Sequence, residues 1–443
     1  MPTQNPFMER YHLKLAILIQ LFLFSFSGYY SQERPIAFTG GMVYPIAGEP
    51  IENGTVIIHM GKIVSVGSSE LLIPANAERI DIQGKALLPG FVDTHSHLGE
   101  GSGGDQSSAL NPEVRIFDAV NPRSDGFMRA LAGGITTVNV LPGSGHLMSG
   151  QTLYLKMREG RIIEDLILES KIPGIFGGIK MANGTNPIRD NAPFPGTRAK
   201  SAAMARDLFV KAQEYQKKID RASGDLSKMP ERNLAMEALI EVLEGKRIVH
   251  FHTHMHHDIM TAIRLSQEFS FRVVLHHVSE AWKVAREIAE AGVPSSIIYI
   301  DSPGGKLEAR DLSPTNGREL EKYGALVAFH TDDGVTDSRF FLRSAALSVK
   351  EGMSKEVALK ALTLAGAKMM DMDHRTGSLE TGKDADLVIL SGDPFSVYTR
   401  VEQTWVEGVL RFDLSNPNDK AFATGGYGIY RTQLHVHHHH DNH

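Results

Sequence analysis

Between residues 86 and 375 the sequence alternates short apolar runs with longer stretches of helical periodicity. The apolar runs have the length and the β-branched composition of buried strands. They cover residues 90–93, 135–141, 248–252, 273–277, 295–300 and 325–330, and the helical stretches cover 200–219, 233–243, 259–269 and 355–370. Strands that alternate with helices form a parallel sheet with crossover helices. This stretch is long enough for eight such units, so we predict an α/β fold with a TIM-like (β/α)8 barrel over residues 88–375.

Both ends of the chain have a different pattern. Short β-like runs broken by glycine and proline fill residues 34–87, and the same pattern returns at 376–412. Because these two segments enclose the barrel sequence, we predict that they pair into one small β-sandwich domain. Residues 413–443 follow as a C-terminal extension that ends in a histidine-rich tail.

Residues 1–31 have the layout of an export signal. Arg10 and Lys14 precede an apolar run over residues 15–26, which small and polar residues follow. That run of about 12 residues is shorter than the roughly 20 that a membrane span requires. We therefore predict a periplasmic or secreted protein without a stable membrane anchor. An uncleaved anchor or a buried helix is the alternative, because no clear cleavage site follows the run.

The chain contains no cysteine and 20 histidines. The lack of cysteine excludes disulfides, thiolate nucleophiles and cysteine-ligated metals. Six histidines crowd the end of the chain, as a native metal-scavenging terminus or as the remains of a purification tag: His435, His437, His438, His439, His440 and His443. Lys and Arg number 46 against 52 for Asp and Glu, with no long basic run, so nucleic acid is not expected as a partner.

Other histidines concentrate where the predicted strands end. His95 and His97 end the first apolar run two residues apart, which puts both on one face of a strand. Histidines and carboxylates also follow three later runs: His250, His252, His254, His256 and His257, then His276 and His277, then His330, Asp332 and Asp333. Active sites of barrels lie at the carboxyl ends of the strands. Four runs that end in His or Asp therefore predict one metal site of imidazole and carboxylate ligands, which suits Zn, Mn, Fe, Co or Ni.

Two motifs resemble those of the amidohydrolase superfamily. LLPGFVDTHSH at residues 87–97 is similar to the family's first-strand signature, and GSLETGKDADLV at 377–388 is similar to the motif of its returning β domain. The resemblance covers residues 36–408 and points to the imidazolonepropionase-like group, which includes Xaa-Pro dipeptidases. It implies a metal-dependent hydrolase that acts on carbon–nitrogen bonds.

The resemblance also implies the ligands of one or two divalent cations, with Zn expected first. Carried over position by position, the metal ligands are His95, His97, His252, His277 and Asp332. Lys180 falls where binuclear members carry a lysine whose carbamate bridges two metals. The alternative is an ordinary lysine beside a single metal ion or in contact with a substrate anion.

The resemblance also implies which residues act in catalysis, and the sequence suggests which residues bind the substrate. A metal-activated hydroxide attacks the substrate carbonyl, and Asp332 passes the proton of that hydroxide to the leaving nitrogen. His254, or alternatively His277, hydrogen-bonds the developing oxyanion. His146 follows a predicted strand, and Arg189 and Arg198 flank a proline-rich loop, so we name all three as substrate contacts. An exposed loop histidine and two structural arginines are the alternatives.

We predict an exported amidohydrolase of the dipeptidase or N-acyl amino acid hydrolase type, acting on a small-molecule amide or dipeptide, and expect a homo-oligomer. A cyclic-amide hydrolase such as an imidazolonepropionase, or a deaminase, is an alternative within the superfamily. A metal-sequestering histidine-rich protein is the alternative outside it, although sequestration requires neither Asp332 nor a barrel.

Overall fold

A computed structural model describes residues 34–99, 101, 105–299 and 306–425. The predicted export signal and the histidine-rich tail lie outside these residues. The strands are β1 (Ile36–Val43), β2 (Ile51–His59), β3 (Lys62–Gly67), β4 (Glu78–Asp81), β5 (Ala86–Pro89), β6 (Phe91–Ser96), β7 (Ile135–Val140), β8 (Met148–Gln151), β9 (Leu153–Lys156), β10 (Ile179–Ala182), β11 (Val249–Thr253), β12 (Val273–His277), β13 (Ser295–Ile297), β14 (Val327–Phe329), β15 (Leu387–Leu390), β16 (Val401–Val406) and β17 (Val409–Asp413).

The α-helices are α1 (Asp125–Ala132), α2 (Arg198–Ala222), α3 (Leu234–Leu243), α4 (His256–Phe269), α5 (Ala281–Glu290), α6 (Asn316–Lys322), α7 (Phe341–Lys350), α8 (Lys355–Leu362), α9 (Leu364–Lys368) and α10 (Pro417–Thr424). Single 3-10 turns lie at Ile116–Asp118, Ile163–Asp165, Leu307–Ala309 and Ser338–Phe340. Among the described residues, no helix combines the length and the apolar character needed to cross a bilayer.

Strands from both ends of the chain form one eight-stranded sheet. Its order is β17-β16-β15-β5-β1-β2-β3, and β4 pairs with β1 off this path. The two ends meet where β5 and β15 run antiparallel, with Leu88 opposite Val388. The predicted pairing of segments 34–87 and 376–412 is thus present as hydrogen bonds between strands, and the sandwich form stays a prediction.

The remaining strands form a TIM-like barrel. One sheet has the order β14-β13-β12-β11-β10-β8 and the other the order β6-β7-β9. Strands β10 to β14 are parallel to one another, as are β6 and β7. First and last strands are joined where the Asp332 amide, just after β14, donates to the His95 carbonyl of β6 at 2.9 Å and the Thr94 hydroxyl of β6 donates to the Phe329 carbonyl of β14 at 3.4 Å.

The barrel departs from a strictly parallel pattern at its third position. Strands β8 and β9, separated by Thr152 alone, run antiparallel to their neighbours β10 and β7. Only residues 141–147 connect β7 to β8, whereas a parallel crossover requires about a dozen residues or more. The short connection therefore reverses the chain direction.

Burial explains why the barrel strands read as apolar runs. Every residue of β6, β7, β10, β11 and β12 is buried. Strands that are covered on both faces lose the alternation of apolar and polar residues. Polar side chains within such strands must then be paired or functional, which draws attention to the buried His95, Lys180, His252 and His277.

A buried charge cluster joins the barrel to the eight-stranded sheet. Lys156 on β9 is fully buried and donates to Asp386 and, at 3.1 Å, to Asp384. Asp384 also accepts from Lys62 at 2.6 Å and pairs with Arg375 at 3.0 Å. Both aspartates belong to the second family-like motif, so that motif fixes the contact between the two parts of the fold.

Candidate metal centre

The predicted metal ligands of β6, β11 and β12 lie together at one end of the barrel. The ring of His95 has its centroid 5.3 Å from that of His97 and 4.8 Å from that of His277. The ring of His252 lies 4.4 Å from that of His277. Parallel strands end at the same edge of a sheet, and the ligands follow the strand ends, so distant sequence positions form one cluster.

Asp332, the ligand predicted after β14, completes this cluster. Its Oδ1 lies 3.0 Å from Nε2 of His97 and 3.4 Å from Nε2 of His95, and its Oδ2 lies 4.0 Å from Nδ1 of His277. Asp332 and His277 both have positive φ angles, of 49° and 69°. Such angles are rare for residues with a Cβ and are common at functional sites.

Electrostatics keep Asp332 ionised. Burial, the largest effect, raises the pKa of the carboxyl, but the hydrogen bond from His97 and the combined electrostatic interactions with His97, His330 and Lys180 outweigh burial and hold the pKa well below its usual range. Asp332 is therefore an anion at neutral pH.

The surrounding imidazoles are neutral. Burial, the largest effect, lowers the pKa of His254 and of His330 to about 3 and places the pKa values of His95, His252 and His277 well below the usual value. Neutral imidazole is the form that binds a metal. The pocket thus holds lone pairs from imidazole beside one carboxylate.

Several of these nitrogen atoms have no hydrogen-bond partner among the described residues. They are Nδ1 and Nε2 of His252, Nδ1 of His95 and Nε2 of His277. A buried polar atom without a partner costs about 1–3 kcal/mol. The groups His95–His97–Asp332 and His95–His277–His330 each place their donor atoms within 4.8 Å of one another, so a cation fits this donor set.

Lys180 on β10 lies beside the same cluster. It is fully buried, and its Nζ lies 3.1 Å from Nε2 of His95. Burial is the largest effect on its amine and lowers its pKa to about 7. A large neutral fraction is therefore present at neutral pH.

Asp93 and Ser296 hold the ligand-bearing strands in place. Oδ1 of Asp93 accepts from the amides of His95 and Thr331 at 3.2 and 3.1 Å, and Oδ2 accepts from the Thr331 hydroxyl at 2.6 Å. The Ser296 hydroxyl shares a hydrogen bond of 2.8 Å with Nδ1 of His330. These contacts fix the position of His95 relative to the strand end that carries Asp332.

Two of the predicted substrate contacts, His146 and Arg189, lie in the connections after β7 and β10, and Arg198 begins α2. His146 is buried, neither of its ring nitrogens has a partner among the described residues, and its ring lies 5.2 Å from that of Phe194. Arg189 donates to the carbonyls of Asn186, Ile188 and Gly145. Arg198 donates through Nε to both carboxylate oxygens of Asp258. Both arginines thus have protein partners, and their roles as substrate contacts stay predictions.

Sequence reasoning missed Glu308. This residue lies in the 3-10 turn after β13, away from any apolar run or motif. Its carboxylate belongs to a third group of possible ligands, with His252 and His254, whose donor atoms lie within 4.8 Å of one another. Only the rule that functional loops follow barrel strands could have indicated it.

A second omission is a buried chain of hydrogen bonds beside the cluster. The Tyr154 hydroxyl bonds Nε2 of His250 at 3.0 Å, and Nδ1 of His250 bonds Nε2 of His276 at 3.0 Å. The histidines of β11 therefore have different roles. His250 belongs to this chain of hydrogen bonds, whereas His252 lies beside His277 in the cluster.

A barrel with neutral imidazoles, a buried lysine and an ionised carboxylate at its strand ends defines a metal-dependent hydrolase site. The profile of the amidohydrolase family matches residues 86–411. The chain therefore belongs to the amidohydrolase family, whose members hydrolyse carbon–nitrogen bonds. This confirms the resemblance drawn from the two sequence motifs.

Individual relatives agree with this assignment. The chain is 36% identical to an amidohydrolase from Thermotoga maritima MSB8 of known structure, with a TM-score of 0.79, and the match covers 85% of this chain and 100% of that one. An imidazolonepropionase from Thermoplasma acidophilum is 22% identical over 86% of this chain and 92% of its own length. Amidohydrolase tasK from Hapsidospora irregularis is 28% identical over 83% of this chain. The match spans 41% of the length of tasK.

Proposed function

We propose that this chain hydrolyses an amide or dipeptide bond of a small molecule at the cluster around Asp332. The observation that carries the proposal is the convergence of His95, His97 and Asp332, whose donor atoms lie within 4.8 Å of one another. Neutral imidazoles with unpartnered nitrogens and one carboxylate fit a divalent cation such as Zn. Bound there, the cation would act as a Lewis acid and lower the pKa of water towards 7.

Asp332 has the central role in proton transfer. Its carboxylate is ionised, and its two oxygens lie near different imidazoles, so one oxygen can hold a cation while the other accepts a proton. We propose that Asp332 takes the proton from the attacking water and delivers it to the leaving nitrogen. His97 keeps the carboxylate in place through its contact of 3.0 Å.

Lys180 is proposed to react with carbon dioxide. Its neutral amine would form a bond to the carbon of CO2 and release one proton, which leaves a carbamate with two oxygen ligands. The position of Nζ, 3.1 Å from His95, supports this role. The metal content is then two ions per chain.

The proposed type of substrate follows from the polar residues in the segments after β7 and β10. His146 and Arg189 come from the connections after β7 and β10, and Arg198 begins α2 after the second of them; the segments that follow barrel strands are those that border a barrel site. A carboxylate on an N-acyl amino acid or a dipeptide is the group that arginine binds best. A cyclic amide is the second candidate, because of the similarity to an imidazolonepropionase.

Two measurements test this proposal. Metal analysis of the purified protein should find two divalent cations per chain, and a single cation would contradict the carbamate at Lys180. A panel of Xaa-Pro dipeptides, N-acyl amino acids and cyclic amides should give product from the first or second class. Turnover of cyclic amides alone would replace the dipeptidase proposal with the second candidate, and a lack of turnover for all three would contradict both.

We also propose export, because residues 1–31 have the layout of an export signal. This proposal is tested separately. A fusion of this segment to a reporter enzyme that is active only outside the cytoplasm should give active reporter. A matched fusion in which two leucines of the apolar run, Leu15 and Leu18, are replaced by arginine should give none. Equal activity of both fusions would contradict export by this segment.

A further inference from the structure

We propose that Thr94, Ser296 and His330 form a chain of hydrogen bonds that sets the tautomer of His277 and leaves the lone pair of its Nε2 for a cation. This role rests on the proposed function, because the tautomer of His277 matters only if His277 is a metal ligand. It makes His330 a positioning residue, although its nitrogens lie among possible ligand atoms.

The chain of hydrogen bonds connects the ends of four barrel strands. Oγ1 of Thr94 lies 2.6 Å from Oγ of Ser296, which lies 2.8 Å from Nδ1 of His330. Nε2 of His330 lies 2.9 Å from Nδ1 of His277. All four side chains are buried. Buried polar groups are nearly always hydrogen-bonded within the protein, so the position of each hydrogen in this chain depends on that of the next.

The Phe329 carbonyl sets the direction of these bonds. Oγ1 of Thr94 donates to this carbonyl at 3.4 Å, and a carbonyl oxygen can only accept. Because the hydrogen of Thr94 is used there, the Ser296 hydroxyl donates to Oγ1 of Thr94. The Ser296 oxygen then accepts from Nδ1 of His330.

The two imidazoles transmit this direction to the cluster. Both are neutral because burial lowers their pKa values, and a neutral imidazole has one N–H and one lone pair. With its hydrogen on Nδ1, His330 accepts at Nε2 from Nδ1 of His277. Nε2 of His277 then has a lone pair, and this atom is buried without a hydrogen-bond partner among the described residues.

The opposite direction of the chain is unfavourable. Ser296 would donate to His330, and His330 would donate to His277, which places the hydrogen of His277 on Nε2. A buried N–H without a partner costs about 1–3 kcal/mol, and none of the described residues accepts from this atom. The ring would also lack the lone pair that a cation requires.

The same contacts exclude His330 as a ligand. Its Nδ1 is engaged with Ser296 and its Nε2 with His277. One N–H and one lone pair are all that a neutral imidazole offers, so none is left for a cation. His330 therefore acts through His277, in the way that groups bonded to the outer nitrogen of a ligand commonly orient it.

The first test is the affinity of the metal-free protein for zinc, measured by competition with a chromophoric chelator. Thr94→Val keeps the shape of the side chain but removes the acceptor for Ser296. Ser296→Ala removes the acceptor for His330. Each variant should bind zinc about 10–100-fold more weakly, which is the usual effect of removing a group that orients a metal ligand.

Matched controls come from two other buried hydroxyls. Thr137→Val and Ser295→Ala make the same chemical changes at side chains that are equally buried but have no hydrogen-bond partner among the described residues. Both controls should keep the affinity of the unmodified chain. All variants carry the same histidine-rich tail, so a difference between them comes from the barrel. Melting temperatures of the metal-free proteins show whether each variant is folded.

The second test determines the tautomers by NMR of protein with ¹⁵N-labelled histidine rings. Nitrogen chemical shifts distinguish a protonated nitrogen, a lone pair and a metal-bound nitrogen. Signals of His277 and His330 are assigned by their absence from His277→Gln and His330→Gln. Without metal, both rings should carry the hydrogen on Nδ1. With zinc, Nε2 of His277 should show the metal-bound shift, and neither nitrogen of His330 should.

Three results would overturn the proposal. They are a hydrogen on Nε2 of His277 in the unmodified metal-free chain, a metal-bound nitrogen in His330, and unchanged zinc affinity in folded Thr94→Val and Ser296→Ala. If the two variants lose affinity but the unmodified chain hydrolyses no member of the panel, the chain of hydrogen bonds stands and the proposed function is wrong. If the unmodified chain hydrolyses the panel and both variants bind zinc with unchanged affinity, the proposed function stands and the chain of hydrogen bonds is wrong.

Discussion

The chemistry proposed for this site depends on the charge of one side chain. Asp332 is anionic because His97, His330 and Lys180 stabilise its carboxylate against the effect of burial. Asparagine has nearly the same shape but cannot accept a proton. Substitution of Asp332 by asparagine should therefore remove proton transfer but leave cation binding, because other ligands are present.

Asp332→Asn should lower kcat by about 10²–10⁴-fold and leave the fold unchanged, because general acid–base catalysis contributes about that factor. The assay is hydrolysis of the best substrate of the panel under saturating conditions, together with metal content. Asp311→Asn provides the control for a surface carboxylate. Near-normal turnover of Asp332→Asn would show that another group transfers the proton.

Lys180→Ala tests the carbamate. The variant removes the amine that would bond CO2, so we expect fewer than two cations per chain and the loss of a labelled carbonyl signal after growth with ¹³C-bicarbonate. Full retention of two equivalents in the variant would contradict the carbamate. Lys171→Ala is a suitable control, since this lysine is exposed and pairs with Asp373 at the surface.

The residues of the site could be predicted from the sequence only where a strand end or a motif marked them. His95, His97, His252, His277 and Asp332 all follow apolar runs, and the structure brings them together. Glu308 has no such mark, because it lies in a turn between β13 and α6 and reaches His252 only through the folding of that loop.

At the level of secondary structure elements, local pattern and tertiary context disagree in two places. Residues 355–370 read as one helix but form α8 and α9, because Thr363 departs from helical geometry and its hydroxyl donates to the Leu359 carbonyl at 2.7 Å. The third barrel position is an antiparallel pair, and only the length of its connection could have indicated this. The buried strands were predictable because burial on both faces leaves a continuous apolar run.

Lys156→Met tests the contact between β9 and the eight-stranded sheet. The substitution keeps the volume of the side chain but leaves Asp384 and Asp386 buried near each other without the Lys156 charge. Removal of one partner from a buried ion pair costs about 3–5 kcal/mol, and we expect a loss of that size in urea unfolding. Lys85→Met, at an exposed pair with Glu402, should cost less than 1 kcal/mol. Equal stability of the two variants would contradict the role of the cluster.

The same cluster predicts how stability depends on pH. Burial raises the pKa of Asp384, but the charges of Lys156 and Arg375 and the hydrogen bond from Lys62 lower it to about 2. The unfolded value is about 4, so the stabilisation is complete above pH 4 and is lost as pH falls from about 4 to about 2. Asp384 should contribute about 2–3 kcal/mol to this loss.

Unfolding of Asp384→Asn measures that contribution. The variant should be less stable than the unmodified chain at pH 7, and the difference between them should shrink as the pH falls towards 2. A difference that stays constant over this range would show that the charge of Asp384 does not stabilise the fold.

On the scale of the whole molecule, the two ends of the chain and its middle have separate roles. The outer segments supply the sheet, and the middle supplies a barrel whose strand ends carry the ligands. Family membership follows from this arrangement and from the match over residues 86–411. The predicted substrate contacts His146 and Arg189 lie in loops, and loops follow no repeating pattern from which side-chain positions could be predicted.

The dependence of hydrolysis on a bound cation is tested by measuring turnover as a function of metal content in the unmodified chain. The protein would be stripped with a chelator, reloaded with increasing Zn, and assayed on the panel of amides and dipeptides at each metal content. We predict that hydrolysis disappears in the stripped protein and returns in proportion to the cation bound at His95, His97 and Asp332. Full turnover by metal-free protein would contradict a metal-dependent hydrolase site at these residues.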